Sequence, residues 1–173
     1  MEKVLIAVDD TKGSKSVLGV FRNLVRPPRE VLLLHVQRLE GRSLMIDMLS
    51  ESELETLRES LEGTEHKEKL DRHADKILNY YRKEFENSGL VSVRTIKRAG
   101  IPSDEILRVA EEEQVDLIVV GGNGKKGLSR LITGCVSKHV ERNASVPVIV
   151  EKPEPKKGAR EIKGDVAPQL SKA

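Results

Sequence analysis

The chain has 173 residues, 38% of them hydrophobic and 34% charged, with a formal net charge of +2 and a single cysteine. This composition is typical of one globular domain that buries most of its apolar area without disulfides. The excess of positive charge is too small to indicate binding to phosphate backbones, and aromatic residues, on which nucleobases stack, are only 2% of the chain. Nucleic-acid binding is therefore disfavoured.

The first apolar run extends from Val4 to Val8 and ends at Asp9 and Asp10. A run of this length is too short for a signal-peptide core or a membrane span. We therefore expect a cytoplasmic protein with no membrane partner. The run itself predicts a first strand that is buried on both faces, as in a parallel sheet.

A helix and a second strand follow. Ser14 can cap a helix with apolar residues at helical spacing, and Pro27 and Pro28 end it. Residues 31–36 are again almost continuously apolar and predict a second buried strand. We interpret His35 as a strand-end residue.

Residues 37–64 are longer than an ordinary connection between a strand and a helix. Ser50 and Glu53 have the spacing of a capping box, and leucines follow on one face at positions 54, 57 and 61. The segment predicts a short amphipathic helix inserted after the second strand.

The middle of the chain contains a long helix, a third strand and a further helix. Residues 67–87 carry a helical stripe that Gly89 is placed to end: Leu70, Ala74, Ile77, Leu78, Tyr81 and Phe85. Partial alternation at residues 91–96 predicts a strand at a sheet edge. Pro102 suits the first turn of a helix whose inward residues are Ile106, Val109 and Ala110.

The stretch from residue 115 to residue 151 combines a buried strand, several glycines, a helix and a last buried strand that runs from Val146 to Val150. A strand that leads through glycines into a helix gathers unpaired backbone N–H groups at the positive end of a helix dipole, which suits phosphate. The charged residues 152–173 predict a disordered tail, so that the domain covers residues 1–151.

Alternation of strands and helices at this spacing predicts an α/β fold with a five-stranded parallel sheet and helices on both faces. Ligands of such sheets bind beyond the carboxyl ends of the strands, where the strand order reverses. In a sheet wound outward from the first strand, that point lies between strands one and four and brings Asp9–Thr11 beside Gly121–Gly124.

Two familiar glycine motifs fit this stretch poorly. Gly122 and Gly127 have the glycine spacing of a P-loop, and Ser129 matches its Ser or Thr, but Leu128 stands where the phosphate-binding lysine is required. Gly122, Gly124 and Gly127 match the dinucleotide fingerprint. However, they follow the fourth strand of five, and no second half of the fold remains to hold a nicotinamide.

A third pattern is more specific. Gly121 and Gly124 are followed by nine residues and then by Gly134 and Cys135, which closely resembles the G-x-x-G-x9-G-[ST] phosphate-binding motif of the universal stress protein family. Further blocks resemble this family in the same order: VLIAVDDTKGS at 4–14, VLLLHV at 31–36, AGIPSDEILRVAEEEQVDLIVVG at 99–121 and SVPVIV at 145–150.

The resemblance implies strand order 3-2-1-4-5 and a homodimer formed through the fifth strand, from Val146 to Val150. An exposed apolar edge of that kind needs covering, which agrees with a dimer. In ATP-binding members of the family, an acidic residue after the first strand and a valine ending the second hold adenine and ribose. These match Asp9 and Val36.

At the phosphate end, the resemblance implies contacts from Gly121, Gly124 and Gly134. The cofactor we expect is ATP, which magnesium can accompany. We add Lys125 as a residue that can neutralise phosphate. The full predicted set is Ala7, Asp9, Val36, Gly121, Gly124, Lys125, Gly134, Cys135, Val136 and Ser137.

Cys135 is the main departure from the family, because it stands where a hydroxyl is expected. A thiol is a weak donor, so the exchange costs roughly 0.5–1.5 kcal/mol, or at most about tenfold in affinity. Ser137 could supply a hydroxyl, although helical geometry points it elsewhere. A small packing residue is a better interpretation of Cys135 than a redox sensor.

No nucleophile, metal-ligand pattern or paired carboxylate stands out, and the histidines at 66 and 73 are typical of a solvated helix. We therefore predict a regulatory protein that binds ATP or a related adenine nucleotide, with slow hydrolysis at most. Two alternatives remain open: a dimeric interaction protein of the same fold that binds no nucleotide, and an enzyme of the wider superfamily.

Overall fold

The computed structural model describes residues 2–10, 17–19, 27–38, 50–87, 89, 92–122 and 136–151. Residues 17–19 are helical. The elements in chain order are β1 (Lys3–Ala7), β2 (Glu30–Gln37), α1 (Glu51–Leu61), α2 (Glu65–Asn87), β3 (Val93–Ala99), α3 (Pro102–Glu112), β4 (Leu117–Gly121), α4 (Val136–Asn143) and β5 (Val148–Glu151).

The five strands form one sheet in the order β3-β2-β1-β4-β5, and every neighbouring pair is parallel. The fold class and strand order predicted from the sequence are confirmed. β1 lies at the centre, where Ala7 is opposite Leu34 of β2 on one side and Val120 of β4 on the other.

Side chains alternate between the two faces of the sheet, and each face has its own core. One core joins β1, β2 and β4 to the inner stripe of α2, with Ile77, Leu78, Tyr81 and Phe85 buried. The other core joins the opposite faces of those strands to α3 and α4, through Ile106, Val109 and Val140. The central strands are therefore covered on both sides, which explains their continuous apolar sequence.

β3 is an edge strand, as its mixed pattern predicts. Its charged side chains pair with the neighbouring elements. Arg94 donates to Glu30 at 3.2 Å and forms a second, bidentate pair with Glu113 just beyond α3. This pairing raises the pKa of Arg94 and lowers the pKa of Glu113, and it ties β2, β3 and the end of α3 together.

The helix boundaries follow local chemistry. The predicted capping box is present at α1: the Ser50 side chain accepts from the backbone of Glu53, and the Glu53 carboxylate accepts from the Ser50 N–H at 2.7 Å. α2 ends just before Gly89, whose φ of +83° suits a residue without Cβ.

The fifth strand is shorter than predicted. It begins at Val148 rather than at Val146, because Pro147 has no N–H to donate and enters the ladder only through its carbonyl, which accepts from Ile118 at 3.0 Å. The first strand also ends one residue early, at Ala7, although the Val8 N–H still donates to the Leu34 carbonyl at 2.9 Å.

Candidate functional site

The carboxyl ends of β1 and β4 lie side by side at the point where the chain changes faces. After β1, Val17 packs into the core on the α2 side of the sheet, whereas after β4, Val140 packs on the α3 and α4 side. Loops that leave two neighbouring strands in opposite directions open a crevice between them, and ligands of open α/β sheets bind in that crevice.

Ala7, Asp9 and Val36 share this edge. Ala7, the last residue of β1, lies opposite Leu34. Asp9 follows two residues later, at the edge of the sheet where Val36 lies near the end of β2. Ala7 and Val36 are both partly buried against the α3 and α4 core, and Asp9 is half-buried. The edge therefore combines an apolar floor with one carboxylate.

The start of α4 lies beside the same core. Val136 packs against it from the first residue of the helix, and Ser137 is buried, with only 4% of its surface exposed. Because α4 follows β4 and returns towards the beginning of β5, its amino end lies at the carboxyl edge of the sheet, with its N–H groups directed outwards.

Gly121 ends β4 opposite Glu151 of β5, and the N–H of the buried Gly122 donates to the Glu151 carbonyl. The structure thus brings six predicted site residues to one edge of the sheet: Ala7, Asp9, Val36, Gly121, Val136 and Ser137. The other four predicted residues, Gly124, Lys125, Gly134 and Cys135, lie outside the described residues.

Two side chains missed by the sequence reasoning lie directly behind Asp9. His35 is not merely a strand-end residue: it lies within β2, is 8% exposed, and its Nδ1 is 2.9 Å from the carbonyl oxygen of Val8. The Tyr81 hydroxyl of α2 donates to the Asp9 carbonyl over a longer distance of 3.4 Å. A lone histidine in an apolar strand was the only signal in the sequence for this arrangement.

A second polar group fixes the end of β2 next to Val36. The buried Gln37 donates through Nε2 to Asp71 Oδ1 at 2.8 Å, and Lys67 Nζ lies 3.0 Å from the same carboxylate oxygen. The backbone carbonyl of Gln37 also accepts from Gly100 at the β3–α3 turn. The Gln37 amide, followed by the Lys67 ammonium, holds the pKa of the Asp71 carboxyl below its usual range.

Two exposed histidine–carboxylate pairs also lie near this edge. His73 lies 3.5 Å from Asp10, and His139 lies 3.7 Å from Asp104. In the part of the chain that the structure describes, no three His, Cys, Asp or Glu side chains are grouped so that they could hold a metal ion. No helix in that part is long and apolar enough to cross a membrane.

Comparison with known proteins agrees with this architecture. The model of the universal stress protein family matches residues 1–152. Universal stress protein MJ0577 of Methanocaldococcus jannaschii is 35% identical over 157 residues, which span 87% of this chain and 94% of that protein. Universal stress protein YxiE of Bacillus subtilis is 30% identical over 86% of this chain and 97% of its own.

Solved structures give the same result. The structure of MJ0577 superposes with a TM-score of 0.62 and 27% identity, covering 89% of this chain and 97% of that one. A universal stress protein family protein from Arabidopsis thaliana, At3g01520, solved with AMP bound, superposes with a TM-score of 0.60 and 21% identity over 91% and 97% of the two chains. With this fold and a family match over most of its length, the chain belongs to the universal stress protein family.

Proposed function

We propose that this protein binds an adenine nucleotide, ATP with magnesium in the first place, at the carboxyl edge of β1, β2 and β4. In this proposal Ala7 and Val36 form the floor under the base, and the Asp9 carboxylate accepts hydrogen bonds from the ribose or the base. The observation that carries the proposal is the position of Asp9, just beyond β1, and of Val36, near the end of the adjacent β2, at the reversal of strand order.

The phosphates would lie at the other end of the site. Gly121 ends β4 there, and the amino end of α4 contributes N–H groups and a favourable dipole. Gly124, Gly134 and the backbone of Cys135 belong to the same proposed cradle by their positions in the glycine motif, with Lys125 as a neutralising charge. The Arabidopsis relative with AMP bound supports an adenine nucleotide as ligand of this fold.

The role we propose is regulatory binding in the cytoplasm with slow hydrolysis at most, because no Ser/His/Asp or paired-carboxylate pattern stands out in the sequence. We also propose a homodimer through β5. The backbone groups of Pro147 and Glu151 face β4, and alternation along a strand then directs those of Val148 and Val150 towards the open edge of the sheet.

Titration calorimetry of the native chain with ATP and magnesium tests the nucleotide proposal. Asp9→Ala should weaken binding, whereas Asp75→Ala, which removes an exposed carboxylate on α2 that pairs with Lys97, should not. Cys135→Ser should strengthen binding by up to about tenfold, since a hydroxyl is a better donor than a thiol.

Competition with ADP, AMP and GTP would then separate recognition of the base from recognition of the phosphates. Absence of ATP binding in both the native chain and Cys135→Ser would overturn the proposal and favour a dimeric interaction protein without nucleotide. Equal loss in Asp9→Ala and Asp75→Ala would remove Asp9 from the site.

A further inference from the structure

The residues that follow β1 have backbone carbonyl groups that strand pairing does not satisfy. Among the described residues, the last backbone bond between β1 and β2 is donated by the Val8 N–H to Leu34. Val8 is 4% exposed, so its carbonyl group is removed from water and needs a donor. Side chains, rather than strand pairing, provide donors to the carbonyls of Val8 and Asp9.

His35 is the donor to the first carbonyl. A carbonyl oxygen only accepts, so the 2.9 Å contact requires His35 to carry its proton on Nδ1. The imidazole is fixed in place because it lies in β2 between Leu34 and Val36 and is itself buried. The position of the Val8 carbonyl is therefore set by a strand of the sheet.

Tyr81 is the donor to the second carbonyl. Its ring is 2% exposed, lies in the core beneath β1, and packs edge-on against Tyr80 with centroids 5.1 Å apart. The hydroxyl reaches the Asp9 carbonyl at 3.4 Å, a long bond that contributes less than the one from His35. At the surface, His73 adds an exposed contact to Asp10, which water screens.

We propose that His35 and Tyr81 are positioning residues for the nucleotide site: by holding the carbonyls of Val8 and Asp9, they fix the direction of the Asp9 carboxylate. The inference rests on the proposed function of that site. Neither side chain would contact the ligand, because both lie on the α2 side of the sheet. Tyr81 packs in that core, and alternation along β2 places His35 on the same face as Leu33, opposite to the face that carries Ala7 and Val36. They act only through the backbone.

Four variants test this inference. His35→Leu and Tyr81→Phe each remove one donor while keeping an apolar side chain of similar size. In His35→Asn the side-chain amide nitrogen stands near the position of Nδ1 and should restore the bond. Tyr80→Phe is the matched control, since it removes a hydroxyl from the neighbouring, 47% exposed tyrosine of the same helix.

Two quantities should be measured on each folded variant: the Kd for ATP by calorimetry, and the NMR order parameters of the Asp9 and Asp10 amides without nucleotide. We expect His35→Leu and Tyr81→Phe to raise Kd by roughly two- to tenfold, the equivalent of one hydrogen bond. Their order parameters should fall from the rigid range near ~0.85 towards ~0.6. His35→Asn and Tyr80→Phe should remain close to the native chain.

An unchanged Kd, or a raised Kd with unchanged order parameters at Asp9 and Asp10, would overturn the inference. So would a rise in Kd that disappears once the folded fraction is taken into account, because the two residues would then serve stability alone. If the native chain binds no nucleotide, the proposed function fails separately. The order parameters then decide whether His35 and Tyr81 hold this segment.

Discussion

Gln37 offers a quantitative test of how the site edge is held together. It is 5% exposed and connects β2 to α2 through Asp71 while its backbone holds the β3–α3 turn. Gln37→Leu keeps the buried volume approximately constant but removes two side-chain hydrogen bonds: the one that Gln37 donates to Asp71 and the one that its Oε1 accepts from Lys67 Nζ at 3.3 Å. The variant should be less stable, and the end of β2 beside Val36 should be less well fixed.

The expected loss of stability depends on how exposed Asp71, the partner of Gln37, is to water. A hydrogen bond to a charged group contributes about 1.5–3 kcal/mol, but the Asp71 side chain is 38% exposed, so water screens part of this energy. We expect a coupling free energy of about 1 kcal/mol between Gln37 and Asp71. For a domain of this size, each ~1 kcal/mol lowers Tm by roughly 2–4 °C.

The assay is a double-mutant cycle of Gln37→Leu and Asp71→Ala, measured by urea unfolding. A parallel cycle on Glu65 and Lys69, an exposed ion pair of the same helix at 2.8 Å, serves as the control and should give about 0.5 kcal/mol or less. Additivity of Gln37→Leu and Asp71→Ala within about 0.3 kcal/mol would refute the reasoning.

The cycle should also depend on pH. The pKa of Asp71 is lowered in the folded state, so its contribution to stability is complete above the ordinary pKa of an aspartate. This contribution is lost as the pH falls through the lowered value. The coupling measured near about pH 7 should therefore decrease near about pH 3. A coupling that grows on acidification would contradict the assigned bond.

Three further predictions concern other parts of the sheet. Asp116 accepts the backbone N–H groups at the start of β1, which lowers its pKa. Asp116→Asn should therefore be less stable than the native chain at neutral pH. The difference in stability should vanish as the pH falls through that lowered pKa, which unfolding followed by circular dichroism at a series of pH values would measure. Val150→Pro removes an N–H that the register directs to the open edge. If the native chain forms the proposed dimer through β5, light scattering should show that this variant is a monomer, whereas an unchanged mass would reject β5 as the interface. Gly89→Ala should lower the free energy of unfolding by about 1–2 kcal/mol, because the φ of Gly89 is +83°. Gly19→Ala should raise the free energy of unfolding by about 0.5–1 kcal/mol, because Gly19 is helical and has open space around it. Effects of the same sign in urea unfolding would contradict the two assigned backbone conformations.

The sequence by itself determined the elements whose signals are local. Continuous apolar runs identified β1, β2 and β4, because strands covered on both faces have no polar side. The capping box of Ser50 and Glu53 located the start of α1, and Gly89 located the end of α2. The family resemblance correctly implied the strand order, which periodicity alone does not specify.

Only the tertiary structure decided how the edge of the site is supported. His35 and Val8 are 27 residues apart in the chain, and Tyr81 and Asp9 are 72 apart. Their contacts exist because β1 and β2 pair in one register and α2 packs against a single face of the sheet. Long-range contacts of this kind leave no periodic trace in the sequence, since they depend on where two elements meet rather than on the pattern of either one.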